Sequence, residues 1–436
     1  MGVVLSSVAL KVGYRAKDAG RPKILAREAF QVILLVILIV SPMLDGFIKA
    51  FSYADELAAI LIVGWGLFRK DKIVLNGGER IGILAVALLL ALGLASNFVT
   101  GYQQSKLAIA VDAFTCFKVF AAYYGALQVV YGEERILSLA IGVVKLLITA
   151  ALFGYALHLS GAVPMGSDRH FMGVPCYRFV FGHTTELAAY CVGISALLMT
   201  DANKNKVWII LDILLLLSTM RAKAVGIAFV IGFFLVRGLV MRGDKKPTVF
   251  LYLILVVGVL FLGADQLRFY FGDTSSARYL LQSTSMQIAQ SLFPFGSGFG
   301  TYASYMSGEY YSPLYYLYGL SGVYGLSPDY HAFVSDSFWP TVIGQFGFFG
   351  LALFTLLIGT FFYSFISRSR SHRVPVGAYV IIPLYYMILS TADASFFNFY
   401  GPFYAMVMAI VSTDFPSKSE SGTEGFKRNY EMKDNG

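Results

Sequence analysis

Apolar positions in this chain fall into long unbroken runs, not into the alternation of elements that face water on one side. Twelve runs stand out, near 28–48, 53–68, 81–99, 108–130, 136–160, 183–200, 207–220, 222–240, 248–264, 338–366, 375–392 and 396–412. A helix that crosses the hydrocarbon core of a bilayer needs about 20 such residues. The pattern therefore predicts an all-α integral membrane protein with about 12 transmembrane helices. The runs at 53–68 and 207–220 are short, which a tilt or a break accommodates. Two connections are long, 161–182 and 265–337. Long ordered loops tend to carry function. The second is expected to fold outside the membrane as a cap of short helices between spans nine and ten. Asp273 and Ser275 are candidate caps for a helix starting near Ser276.

Composition supports this picture. The chain is 57% hydrophobic and 14% charged, where a soluble domain carries about 25% charged residues. So few charges cannot cover a water-facing surface. A soluble enzyme, a nucleic-acid binder and a disordered regulator are poor readings, despite a pI of 9.1. The placement of charge matters more than its sum. With the N-terminus inside, 24 of the 34 Lys and Arg residues fall on inner segments and 8 on outer ones, while Lys118 and Lys145 lie within spans. The positive-inside bias then puts both ends in the cytoplasm. The expected organisation is a basic N-terminus over 1–27, a membrane domain over 28–412 and a polar disordered tail over 413–436. The first apolar run is too long for a cleavable signal, and no small-residue cleavage pattern follows it.

A few charges fall within or beside the spans. Asp212 and Lys145 lie at similar depth in spans seven and five, which predicts an interhelical ion pair. Asp45, Asp112 and Asp393 sit near outer ends and are expected to face a water-filled cavity. Cys116, Cys176 and Cys191 form no CxxC or Cys/His cluster, so neither a metal site nor a structural disulfide is expected.

Chemistry concentrates on the outer side. Arg178, Arg221, Lys223 and Arg278 stand there against the positive-inside bias. Arg221 and Lys223 occupy the tight turn Ser218-Thr219-Met220-Arg221-Ala222-Lys223, at the membrane surface. Guanidinium groups grip phosphate in a bidentate, permanently charged manner, so these residues could clamp a lipid diphosphate. The plainer alternative is that each meets a phospholipid headgroup or an outer acid. Four of five histidines, His158, His170, His183 and His331, also fall on the outer half. His331 lies late in the long loop, where it could take a proton from a sugar hydroxyl or serve as a hydrogen-bonded structural residue. His183 and Glu186 are three apart and share a helix face. They could bind sugar hydroxyls, or be ordinary polarity at a helix start. The loop is dense in tyrosine, Tyr330 among them. Such rings can stack on sugars, but an interfacial aromatic belt explains most of them. Gly296-Ser297-Gly298-Phe299-Gly300 reads as a turn and not as a nucleotide-binding loop, because no βαβ unit surrounds it.

Four segments together resemble the bacterial O-antigen polymerase and O-antigen ligase superfamily of integral membrane glycosyltransferases. They are Arg178-Phe179-Val180-Phe181-Gly182-His183 with Leu187-Ala188, the Ser218–Lys223 turn, Ser276-Ala277-Arg278 leading to Pro294-Phe295-Gly296-Ser297-Gly298, and His331 followed by Ile343-Gly344-Gln345-Phe346-Gly347-Phe348-Phe349-Gly350. The resemblance covers about 165–366. It implies a GT-C-like fold in the bacterial cytoplasmic membrane, with the active site on the outer side. It implies transfer of a glycan from an undecaprenyl-diphosphate carrier to an acceptor hydroxyl, with inversion and without nucleotide sugar, metal or other cofactor. By analogy Arg221 and Arg278 hold the diphosphate and His331 activates the acceptor. Arg178, His183, Glu186, Lys223, Tyr330 and Asp336 would support the substrate. The implied partners are the lipid-linked oligosaccharide, the bilayer, and a chain-length regulator and flippase of the same pathway, with no nucleic acid. Ligases of this family often carry an asparagine soon after the histidine, whereas this chain reads His331-Ala332-Phe333-Val334-Ser335-Asp336. That departure favours a polymerase over a ligase. A flippase or transporter for lipid-linked sugars is the reading from another class. It fits less well, because the chain shows no internal repeat and its suggestive residues gather on one side.

Overall fold

A computed structural model describes residues 26–45, 48, 51, 53–69, 73–130, 135–171, 174–240, 274–391 and 393–413. The expected ninth span, Asp273, the basic stretch over 1–25 and the tail from 414 lie outside the described residues. The architecture is predominantly helical. Among the described residues, six helices are long and apolar enough to cross a membrane, over Glu28–Asp45, Gly77–Thr100, Lys106–Val130, Ile136–Leu159, Ala222–Leu239 and Phe338–Ser371. This is the composition of a membrane-embedded protein.

In chain order the first helices are α1 (Ala26–Asp45), α2 (Ala54–Phe68), α3 (Gly77–Thr100), α4 (Lys106–Val130) and α5 (Ile136–Leu159). The start of α3 is written in its sequence. Asn76 accepts from the Glu79 N–H at 2.9 Å and Glu79 accepts from the Asn76 N–H at 2.8 Å, a reciprocal capping box. The same Glu79 carboxylate takes Arg368 at 2.6 Å, which pins α3 to a distant helix. Helices α2 and α4 run in close contact. A Cβ on Gly125 would come within 2.9 Å of the Ile62 carbonyl, so only glycine permits this approach. Nearby, Lys118 of α4 meets Asp55 at 2.5 Å and Glu56 at 3.0 Å, which satisfies a charge that would otherwise be buried alone.

After α5 the chain forms a small hairpin, β1 (Gly166–Phe171) against antiparallel β2 (Val174–Tyr177). The long 161–182 connection thus holds a short hairpin in a predominantly helical architecture. Helices α6 (Thr184–Leu198), α7 (Ala202–Ser218) and α8 (Ala222–Val240) follow, then α9 (Ala277–Ser291), the short α10 (Tyr305–Glu309) and α11 (Pro313–Leu317), and finally α12 (Phe338–Ser371), α13 (Val376–Ser390) and α14 (Gly401–Val411). Every residue of α14 is buried. This helix packs on α4 and α6 at the centre of the molecule.

Between α9 and α12 the chain builds a second, smaller core from Leu281, Ile288, Tyr302, Leu314, Tyr315, Leu326 and Val334. The cap of α9 is Ser276, whose hydroxyl accepts from the Tyr279 N–H at 3.3 Å; the Ser275 expectation misses by one residue. Gly347 breaks α12 at φ +66°. The Gly344 and Gln345 carbonyls there accept the Ser297 and Gly298 N–H groups, each at 2.9 Å. The glycine-rich segment thus serves the break in α12, and a Cβ on Gly296 would lie 2.3 Å from the Gln345 carbonyl.

The predicted Lys145–Asp212 ion pair does not form. Lys145 sits over the Trp208 ring, 5.6 Å from its centroid. Asp212 accepts from the Ser195 hydroxyl at 2.6 Å. Helix rotation, which depth along an apolar run does not encode, separates them. Asp112 is buried and accepts from the Gly300 N–H at 2.7 Å, so it braces the loop and does not face a cavity. Cys116, Cys176 and Cys191 are all buried and free.

Candidate active site

A cavity of about 780 Å³ opens where several element ends converge. Its wall includes Gly166 and Ser167 of β1, Arg178 after β2, the starts of α6, α8 and α9, and the connection from α13 to α14. It gathers Arg178, His183, Glu186, Arg221, Lys223, Arg278 and Asp336 into one space. These residues span 178–336 in the chain, yet each stands at an element boundary. That is where a bundle leaves side chains free to face a common mouth.

The backbone around them is unusual. Phe179, next to Arg178, has φ +57°, and Met220, next to Arg221, has φ +50°. A residue with a side chain pays about 1 kcal/mol or more for such a conformation. Phe179 is held by its neighbours: Tyr177 donates to the Ala151 carbonyl at 2.7 Å and the Arg178 N–H donates to the Met165 carbonyl at 3.0 Å. Arg178 Nε then reaches the Gly166 carbonyl at 3.1 Å and Nη1 the Gly182 carbonyl at 3.0 Å. The guanidinium is fixed by two backbone carbonyls.

Arg221 is fixed in the same way. Its Nε donates to Thr184 Oγ1 at 2.6 Å and its Nη2 lies 2.7 Å from His183 Nε2. A guanidinium can only donate, so Nε2 accepts. The proton of a neutral His183 is then on Nδ1, where it meets Thr185 Oγ1 at 2.6 Å. The Thr185 N–H, 3.3 Å from Nδ1, would need the opposite tautomer; the two shorter contacts decide. His183 is therefore a positioning residue at the start of α6 that holds Arg221. Arg278 pairs with Asp336 at 3.0 Å, with both side chains about one-third exposed.

Three helices, α6, α8 and α9, begin at this cavity, and their first turns supply Thr185 and Glu186, Lys223, and Arg278. A helix N-terminus carries about half a positive charge and favours anions. These dipoles add to four cationic side chains. Against them stand Glu186, Asp336 and Asp393. Burial raises the Asp393 carboxyl above the usual carboxylate range, while the nearby Lys223 charge and the Asn398 amide pull it down. The Asn398 amide donates to Asp393 at 2.7 Å and to the Tyr400 hydroxyl at 2.9 Å. The arrangement can hold an anion with more than one charge.

Two of the residues implied by the resemblance are outside this lining. His331 is half-buried on the loop, with Nδ1 3.3 Å from the Pro328 carbonyl and Nε2 3.5 Å from Glu309. Tyr330 packs against Tyr324, ring centroids 5.1 Å apart, and is 44% exposed. Phe333 and Asp336 of the same segment do reach the cavity. Residue-level reasoning from the sequence overlooked Tyr385, Asn398, Phe399 and Tyr400, which complete the wall. Polar Asp393 and Asn398, close together where the last two apolar runs meet, were the available signal. Among the described residues, no group of three His, Cys, Asp or Glu side chains could hold a metal ion. A comparison of the chain with protein-family models and with curated proteins finds no match.

Proposed function

We propose that this chain is a polysaccharide polymerase of the cytoplasmic membrane. It takes a glycan from an undecaprenyl-diphosphate carrier and joins it to a hydroxyl of another lipid-linked repeat unit. The products are O-antigen, capsule or exopolysaccharide chains. The observation that supports this most is the convergence of Arg221 and Lys223 from the start of α8 with Arg278 from the start of α9, on one cavity where three helices begin. Departure of a diphosphate needs stabilisation of developing negative charge, and preorganised cations supply it. In the twelve-span topology proposed for this chain, with both termini inside and the long loop after span nine outside, the cavity would face outward, where a flipped lipid-linked glycan arrives. The cavity volume, about 780 Å³, lies within the usual range of about 300–1,000 Å³ for small-ligand sites. It suits a diphosphate with its first sugars.

Replacing Arg221 or Arg278 with alanine in the producing cell tests the reading. Loss of polymer, with single repeat units left on the carrier lipid, is the expected result. Normal chain length in both variants would contradict it. Finished polymer accumulating on the carrier would instead identify a ligase, which moves glycan to lipid A core or another acceptor. Failure of lipid-linked units to reach the outer leaflet would identify a flippase.

A further inference from the structure

A second cavity of about 510 Å³ lies on the other side of Arg178. Its walls come from α1, from Asp55 of α2 and from the Val163–Met165 turn. Arg178, Gly182, Glu186 and Phe399 belong to both linings, so the two spaces share a wall. Glu186 is the one carboxylate in that shared wall. Its Oε2 accepts from the Gly182 N–H at 3.0 Å, which fixes the carboxylate in place.

The two spaces differ in chemistry. Apart from the shared residues, the first sets three cations, Arg221, Lys223 and Arg278, against two carboxylates, Asp336 and Asp393, whereas the second has only the carboxylates Asp45 and Asp55. A diphosphate is attracted to the first and repelled from the second. An uncharged sugar suits the second, because carboxylates accept from its hydroxyls and Phe51, Phe179 and Phe181 cover its C–H faces. His331 is absent from both linings.

Resting on the polymerase reading, we propose that the second cavity receives the acceptor sugar and that Glu186 takes the proton of its attacking hydroxyl. The hydroxyl oxygen forms a bond to the anomeric carbon of the donor. The bond from that carbon to the diphosphate breaks, and its electron pair leaves with the diphosphate oxygen. The released diphosphate gains one negative charge beside Arg221 and Arg278. The hydroxyl proton passes to the Glu186 carboxylate, which becomes a neutral acid, so atoms and charge balance.

The test uses purified full-length protein, undecaprenyl diphosphate as the binding probe, and lipid-linked repeat units extracted from the producing cell as substrate. Glu186→Gln should bind undecaprenyl diphosphate at least as tightly as the wild type yet form polymer about 100-fold more slowly, the scale of a lost general base. Glu186→Asp should recover part of the rate. Met165→Trp, which fills the second cavity, should keep undecaprenyl diphosphate binding but raise the repeat-unit concentration needed for half-maximal rate. Wild-type polymer formation by Glu186→Gln would overturn the inference. So would joint loss of binding and polymer, which would make Glu186 a structural group. Wild-type protein that binds no undecaprenyl diphosphate would overturn the polymerase reading itself, and this inference with it.

Discussion

Arg221 and His183 form one unit: the guanidinium Nη2 sits 2.7 Å from the imidazole Nε2 while Thr184 takes Nε at 2.6 Å. The start of α6 and the Arg221 cation are thus held together. His183→Ala removes one support of Arg221 without removing its charge. Undecaprenyl diphosphate affinity should fall about tenfold, the scale of one hydrogen bond to a charged group. Arg221→Lys should lose more, because an ammonium cannot engage Thr184, His183 and phosphate in one plane. Calorimetric titration of both variants checks the order.

Arg278 is held by Asp336 in a pair about one-third exposed. Such pairs contribute at most about 1 kcal/mol to stability. Asp336→Asn should therefore leave thermal unfolding nearly unchanged. It should also tighten undecaprenyl diphosphate binding, because it removes a competing anion from Arg278. Weaker binding in this variant would show that Asp336 positions the arginine and does not compete for it.

The raised Asp393 carboxyl makes binding depend on pH. Protonation removes a negative charge from the cavity wall. Anion affinity should rise as pH falls from neutral towards the ordinary Asp range, and Asp393→Asn should remove that part of the dependence. Comparing wild type and variant at each pH cancels titration of the ligand. The same shift sets the sign for stability. The folded state gains fully below the ordinary Asp value and loses that gain as pH rises through the raised value. Asp393→Asn should flatten this fall in thermal unfolding experiments.

Lys118, Asp55 and Glu56 form a buried cluster, with Lys118 and Asp55 side chains only 3% and 5% exposed. Lys118→Met would leave two carboxylates facing each other without a cation. Removing one partner of a buried pair costs about 3–5 kcal/mol. A clear drop in unfolding temperature is expected, and joint replacement of all three by apolar residues should recover much of it.

The helices were legible because lipid demands long apolar runs, and runs such as 106–130 and 222–240 carry that demand openly. The cations of the cavity were legible for the opposite reason. Arg178, Arg221 and Arg278 break the charge bias at element boundaries, where an apolar chain has no structural need for them. What faces what was not legible. Lys145 and Asp212 share a depth but turn to Trp208 and Ser195. The hairpin over 166–177 is too short for an alternating pattern to declare itself. His331 stands beside Glu309 on the loop and outside the cavity lining, a placement its position in the sequence does not reveal. The structure instead offers Glu186, which in sequence could equally be an ordinary acid in a helix's first turn.

The most direct measurement is polymerisation by the purified protein. Lipid-linked repeat units from the producing cell are mixed with it, with and without EDTA, and the products are sized on a gel. A ladder that persists in EDTA and disappears with Arg221→Ala is the predicted result. A verified substrate that yields no ladder would contradict the polymerase reading, and transfer restored only by added lipid A core would replace it with a ligase.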